Sequence, residues 1–276
     1  MGERRLYKYL DANGGLLMLY NRTLMFTNAS QLNDPFDCHP AYIDFQPNSS
    51  GLYRGIPATF YSEMEYQKGL NRRDKTYICS LSKVHDSILM WTHYAKHSGV
   101  CIGLDMEKVR KYLYRMTGIF LGCPELEVQY RDVINGPGSI KDTNDILCCH
   151  FATKAKEWQH EQEVRLVAFD PSSMHMRLLP EKEKNEGFFC QKIKQLFCKL
   201  KKAPIDWEKV RAFLDIDSEC FESVYLGVNL NEEKNKETKE KIIKVARKCN
   251  PDIKIYQMTI DPEAFRLKEE PIIRNI

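Results

Sequence analysis

No run of this sequence is long and apolar enough to cross a membrane. Stretches such as Gly118 to Cys123 fall far short of the roughly 20 residues that a span needs. A secretory leader is not expected, because Met1 to Arg5 is charged and leads straight into Leu6-Tyr7-Lys8-Tyr9 without an apolar core or a small-residue cleavage site. Leu6 also stands where a myristoylation signal needs Ser or Thr. There is no C-x-x-C pair among the 10 cysteines, and Cys148 and Cys149 are adjacent, which suits neither a zinc ribbon nor a disulfide framework. Free, mostly buried thiols in a reducing, cytoplasmic setting are expected. Charge of one sign is lacking too: 41 Lys+Arg face 38 Asp+Glu, a net of +3, which argues against duplex nucleic acid as a partner.

What is present is ordinary globular material. Apolar residues make up 43% and charged residues 29% of 276 positions, enough for a single domain spanning residues 1–276 with a well-buried core. Strands are expected at Leu6 to Leu10, which is aromatic and β-prone, at Thr23 to Thr27, which alternates weakly, at Tyr77 to Ser82, at Val100 to Leu104, which is short and apolar, and at Val224 to Val228 and Ile253 to Thr259. Helices are expected at Leu16 to Asn21, Pro57 to Leu70, Ile88 to Lys96, Ile146 to Lys154, Trp207 to Leu214 (capped by Asp206) and Glu232 to Lys248. Another runs from Met106 to Met116, where Asp105 is a good N-cap and Met106, Val109, Tyr112 and Leu113 recur at helical spacing. The Lys-rich stretch Glu181 to Lys202 is the one compositional shift, and 181–222 is a candidate helical insertion. Short strands and scattered helices without regular βαβ alternation give an α+β domain, with a mixed or antiparallel sheet flanked by helices.

The most informative segment is Trp158 to Phe169, read as a strand from Glu161 onward. Alternation then places Glu161, Glu163 and Arg165 on one face and Gln162, Val164, Leu166 and Ala168 on the other. Two carboxylates two residues apart lie roughly 7 Å apart by strand rise, each raising the other's pKa, with Arg165 offsetting the repulsion. Such a ladder can hold a ribose hydroxyl and stabilise a developing cation. It can equally be a solvated strand face whose charges pair across strands.

Other groups carry chemistry at useful spacing. His93 and His97 are four apart in a helical stretch that also holds Trp91 and Tyr94. The pair could chelate a metal, or the segment could form the flat wall of a nucleobase or nicotinamide pocket. In Asn33-Asp34-Pro35-Phe36-Asp37, turn chemistry comes first, with Asn33 at a cleft rim as the functional version. Asp34 and Asp37 could join the histidines at a metal. Ser80 and Ser82 share a strand face and could brace a neighbouring carboxylate. The lysines at 192, 194, 199, 201 and 202 read as a solvated face or an anionic-partner patch.

Taken together these segments resemble a bacterial family known as domain of unknown function 2971. The residues that carry the resemblance are Leu6-Tyr7-Lys8-Tyr9, Asn33-Asp34-Pro35-Phe36-Asp37, Met90-Trp91-Thr92-His93-Tyr94-Ala95, Trp158 with Glu161, Glu163 and Arg165, and Val224-Tyr225-Leu226-Gly227. A second resemblance is to mono-ADP-ribosyltransferases, which carry a basic first-strand residue, a Ser-x-Ser strand and a Glu-x-Glu strand in that order. Lys8, Ser80-Leu81-Ser82 and Glu161-Gln162-Glu163 follow it, with Lys in place of Arg, no central Thr, and Arg165 as an addition. This resemblance implies an ADP-ribosyltransferase-like fold and NAD as substrate. Lys8 would face the phosphates, Ser80 and Ser82 would brace the site, Glu163 would stabilise the oxocarbenium ion and Glu161 would polarise the acceptor.

The expected site therefore has Glu163, Glu161 and Arg165 as catalytic residues. Tyr7, Lys8, Asn33, Ser80, Ser82, Trp91, His93 and Tyr94 would bind a small nucleotide, with no resident metal. A metal-dependent phosphodiester hydrolase and a non-catalytic nucleotide sensor are the rival readings. A defence or toxin role would suit such an enzyme.

Overall fold

A computed structural model describes residues 4–39, 52–53, 56–57, 71, 73–117, 125–133, 150–168, 175–178 and 210–273. In chain order the strands are β1 (Arg5–Leu10), β2 (Thr23–Asn28), β3 (Leu52–Tyr53), β4 (Ile56–Pro57), β5 (Tyr77–Ser82), β6 (Val100–Asp105), β7 (Glu125–Glu127) and β8 (Gln129–Arg131). They continue with β9 (Thr153–Ala155), β10 (Glu163–Ala168), β11 (His175–Leu178), β12 (Val210–Asp215), β13 (Phe221–Leu226), β14 (Lys254–Ile260) and β15 (Leu267–Pro271). The helices are α1 (Ala12–Asn21), α2 (Ile88–Met90, running on as a π-helical turn Trp91–Ala95), α3 (Met106–Thr117) and α4 (Lys236–Cys249). None of the described helices is long and apolar enough to cross a membrane.

Eleven strands form one sheet. Its main path is β11-β12-β2-β5-β1-β6-β13-β14-β15. The sheet branches at β5. One edge of β5 carries β10 along its whole length, from Tyr77↔Ala168 to Ser82↔Glu163. The other edge meets β2 at Tyr77 and Ile78 and β1 at Ser82. Pairing is mostly antiparallel. β13 and β14 are parallel and joined through α4, the crossover that a parallel pair requires. The α+β class expected from the sequence is thus borne out.

One sheet face is apolar and lies under the helices. Leu6 of β1, Leu24 and Phe26 of β2, Leu81 of β5, Ile102 and Leu104 of β6, and Val164 and Leu166 of β10 pack there with Met18, Leu19, Val109, Ile242 and Ala246. Asp105 caps α3 as expected, accepting from the backbone N–H of Lys108 at 3.1 Å. α1 approaches closely because Gly15 has no side chain; a Cβ there would sit 2.2 Å from a Val100 methyl carbon. The other face carries Tyr7, Tyr9, Cys101 and Tyr225 toward one end, and Ile78 and Val167 toward the other.

Three expectations need correction. Trp207 to Leu214 contains a strand, not a helix: Val210–Asp215 is β12, wedged between β11 and β2, with Ala212 and Leu214 buried. Residues 210–222 of the expected helical insertion are accordingly strand, a 3-10 turn and the start of β13. Ile146 to Lys154 is helical only at residues 150–151 of its described part, because Thr153–Ala155 pairs in parallel with β8. Glu161 is not on the strand: it ends a 3-10 helix (Lys156–Glu161), and Gln162 at φ 44° turns the chain before β10 starts at Glu163. The Lys-rich stretch 181–202 and most of Pro57 to Leu70 lie outside the described residues.

Candidate functional site, a buried charge cluster

β10 is buried along its whole length, so its polar face cannot be a solvated one. Arg165, with no exposed surface, is the hub. Its guanidinium forks onto Asp37, with Nη1 and Nη2 each 2.7 Å from a carboxylate oxygen. It also spans Glu163, donating from Nε at 2.9 Å and from Nη2 at 3.1 Å. Nη1 gives its second proton to the Phe151 carbonyl at 2.9 Å. Those bonds use all five N–H donors of the side chain. The turn Asp34-Pro35-Phe36 delivers Asp37: Asp34 accepts from the Phe36 N–H at 2.9 Å, which is local turn chemistry as expected.

Lys154, on β9, is the second cation. Its Nζ lies 2.5 Å from Glu161, 3.3 Å from Glu163 and 3.9 Å from Asp37, and 5.0 Å from the centre of the Trp158 ring. Tyr94 donates its hydroxyl hydrogen to the remaining oxygen of Glu161. The backbone N–H of Glu163 donates to the Tyr130 hydroxyl at 2.7 Å. Both serines take part: Ser82 Oγ donates to the Glu161 carbonyl at 2.7 Å, and the Ser80 hydroxyl bonds the Glu163 carboxylate. These contacts follow from register, since Glu163 lies opposite Ser82 and Arg165 opposite Ser80.

The electrostatics are consistent with this geometry. Burial works against an ionised Glu163, but the Arg165 and Lys154 charges outweigh it and hold the carboxyl well below the usual range. Burial likewise opposes the charge on Arg165 and Lys154, and the surrounding carboxylates outweigh it in both. Burial, then the bond to Glu161, pushes the Tyr94 phenol upward, so it remains a donor at neutral pH. Burial raises the Cys38 thiol beside Arg165, which leaves it a poor nucleophile.

The expected site residues divide accordingly. Glu161, Glu163, Arg165, Ser80, Ser82 and Tyr94 come together. Lys8 does not join them. Tyr7 is the residue opposite Ser82, so neighbouring Lys8 points to the helix-covered face, where its Nζ donates to the Ser80 carbonyl at 2.8 Å. Tyr7 is on the correct face but packs on His85 and Tyr225, with ring centres 5.0 and 6.0 Å away. Trp91 is a core residue rather than a pocket wall, fully buried, edge-on to Tyr9, and donating from Nε1 to the His85 carbonyl at 2.8 Å. Asn33 is exposed on its turn. His93 is exposed, its ring 6.1 Å from that of His160.

The His93/His97 chelate does not form a helical pair. The helix ends at Ala95, and Lys96 and His97 both have positive φ. His97 instead meets the Thr92 hydroxyl at 3.1 Å. Among the described residues no group of three His, Cys, Asp or Glu side chains could hold a metal. A cavity of about 560 Å³ opens elsewhere, lined by His97, Val228, Ile260, Phe265 and Arg266, and no member of the charge cluster reaches it.

The sequence offers Asp37 as a turn residue or metal ligand and Lys154 as the end of a helix. Their roles come from tertiary pairing that no local pattern announces.

Comparison with known proteins adds one finding. Residues 90–166 match the family described as protein of unknown function (DUF2971). The resemblance expected from the motifs is therefore supported over a segment that runs from Met90 through Tyr94, Lys154, Trp158, Glu161 and Glu163 to Arg165 and Leu166. DUF2971 carries no activity in its description. No curated protein and no solved structure matches the chain, so the comparisons lend nothing to the ADP-ribosyltransferase resemblance.

Proposed function

We propose that this DUF2971-like protein binds a nucleotide at the charge cluster and breaks an N-glycosidic bond, with NAD as substrate and ADP-ribose passing to an acceptor or to water. The observation that carries this reading is the charge imbalance of the cluster. Three carboxylates, Asp37, Glu161 and Glu163, face two cations, Lys154 and Arg165, in a buried site, which leaves one formal negative charge in excess. A fixed net negative charge in a water-poor setting favours positive charge as it develops on a ribosyl carbon. The C1′–N bond breaks with its electron pair going to the nicotinamide nitrogen, and the acceptor oxygen then bonds C1′.

Glu163 acts here through position. Its carboxylate is occupied by Arg165 and Lys154 and holds the field steady. Glu161, at the 3-10 helix terminus and bonded by Tyr94 and Lys154, is the carboxylate that meets the ribose, exchanging one of those two bonds for the substrate. A preorganised polar group of this kind contributes about 3 kcal/mol, roughly a hundredfold in rate. Incubation with NAD, following free nicotinamide by chromatography, tests the reading. Wild-type protein should release nicotinamide, and Glu161→Gln should release it at least a hundredfold more slowly. A wild type that releases none at any acceptor concentration rules it out.

One observation favours a second reading, a nucleotide sensor without turnover. Every Arg165 donor is satisfied within the protein, as in a structural hub. That reading requires NAD to raise the melting temperature while the dinucleotide stays intact for hours.

A further inference from the structure

His160 lies one residue before Glu161, and one of its nitrogens is unaccounted for. Its Nδ1 faces the Glu157 carbonyl at 3.1 Å. A carbonyl can only accept, so Nδ1 carries the hydrogen, and in the neutral ring Nε2 holds a bare lone pair. That Nε2 is buried and has no hydrogen-bond partner among the described residues. Buried polar atoms are almost always paired, so an orphaned acceptor beside a candidate site needs a reason. The surroundings supply one. The His160 ring is 6.1 Å from Trp158, whose own ring stands 5.0 Å from Lys154 Nζ. It is also 6.1 Å from the ring of His93, the neighbour of Tyr94. His160 thus sits at the rim of the Glu161–Lys154 pair, with its tautomer fixed and its acceptor lone pair unused.

We propose that His160 Nε2 is the general base that receives the acceptor's proton, and that the acceptor is therefore a hydroxyl: water, or an alcohol of a sugar or side chain. This rests on the ribosyl-transfer reading above. As the acceptor oxygen bonds C1′ and nicotinamide leaves with the electron pair of the broken bond, the hydroxyl proton passes to Nε2 and from there to solvent. NAD⁺ and R–OH give ADP-ribosyl–OR, neutral nicotinamide and a proton, so the step balances. A guanidinium acceptor would bring a further cation beside Lys154 and gain little from a neutral base.

The test compares wild type, His160→Ala and His160→Ala with added imidazole in nicotinamide release, with methanol as a trapping alcohol. General-base removal is expected to slow release about a hundredfold. Imidazole in the tens of millimolar should restore part of the rate, and wild type should form the methyl riboside. A slowed variant that imidazole does not rescue has lost structure rather than a base, which overturns the proposal. Equal rates in wild type and variant also overturn it and leave the ribosyl reading standing. No release from wild type sinks the ribosyl reading itself, and the proton step with it. A nitrogen-15 spectrum placing the hydrogen on Nε2 overturns the His160 assignment whatever the activity.

Discussion

The same strands make two unlike interiors. On the helix-covered face, β1, β5 and β10 present Leu6, Leu81, Val164 and Leu166 to α1, α3 and α4. One residue along each strand, the opposite face presents Tyr7, Ser82, Glu163 and Arg165. The first interior is held by non-directional burial, where shape and volume decide the stability. The second is held by directional bonds among groups that are costly to bury unless each finds its partner. Losing a methylene from the apolar face leaves a void. Losing a partner from the charged face strands a charge.

The comparison is put under most strain by Arg165→Met. Removing the hub leaves Asp37 and Glu163 buried against each other without their main counter-ion, and the expected loss is about 3 to 5 kcal/mol in urea unfolding. A loss below about 1 kcal/mol would mean that the cluster is not structural. Leu166→Ala, the neighbour on the apolar face, should cost about 2 to 4 kcal/mol through a cavity, with no sensitivity to pH.

Acid separates the two faces further. Glu163 is held below its ordinary value, so the stability it contributes is complete above the unfolded carboxylate pKa. That stability is lost as pH falls through the depressed folded value. Circular dichroism against pH should therefore show wild-type structure persisting below about pH 4, and an earlier onset in variants that weaken the cluster. Tyr94→Phe removes only the donor to Glu161. It should cost about 1 to 2 kcal/mol, and nicotinamide release should fall about tenfold. Lys8→Met is the smallest effect, about 1 kcal/mol from the lost bond to the Ser80 carbonyl, with nicotinamide release unchanged. A large loss of release in that variant would put Lys8 at the site and break the division between faces.

Local pattern made much of this legible. The strands at 77–82 and 100–105 are short β-prone runs, and the helix at 106–117 follows apolar spacing and a cap that short-range physics enforces. The pairing of the Ser80–Ser82 strand with the strand that starts at Glu163 is a tertiary fact that motif order does not give. What stayed hidden is tertiary. Nothing near Asp37 signals Arg165, and nothing near Lys154 signals Glu161. Val210 to Leu214 satisfies both a two-residue and a helical period, and its sheet neighbours decide the matter. Glutamine carries no mark of positive φ, so the left-handed turn at Gln162 leaves no local signal that the strand starts at Glu163 rather than at Glu161. Flat rings serve a core and a ligand wall alike, so nothing local to Trp91 separates the two.

The Asp37–Arg165 bond joins residues 128 positions apart. A contact of such separation has to wait while the intervening chain is drawn together, and the loop entropy is spent before the bond returns anything. Lys154 and Glu161 are seven apart and can meet early. On this ground the cluster is expected to close in two stages, the Lys154–Glu161 pair through the 3-10 turn between β9 and β10, and the Asp37–Arg165 fork when the N-terminal turn docks. Until then the guanidinium stays hydrated, and burying β10 before Asp37 arrives would strand part of its charge, so a chain truncated short of that turn is expected to leave this strand open to proteases.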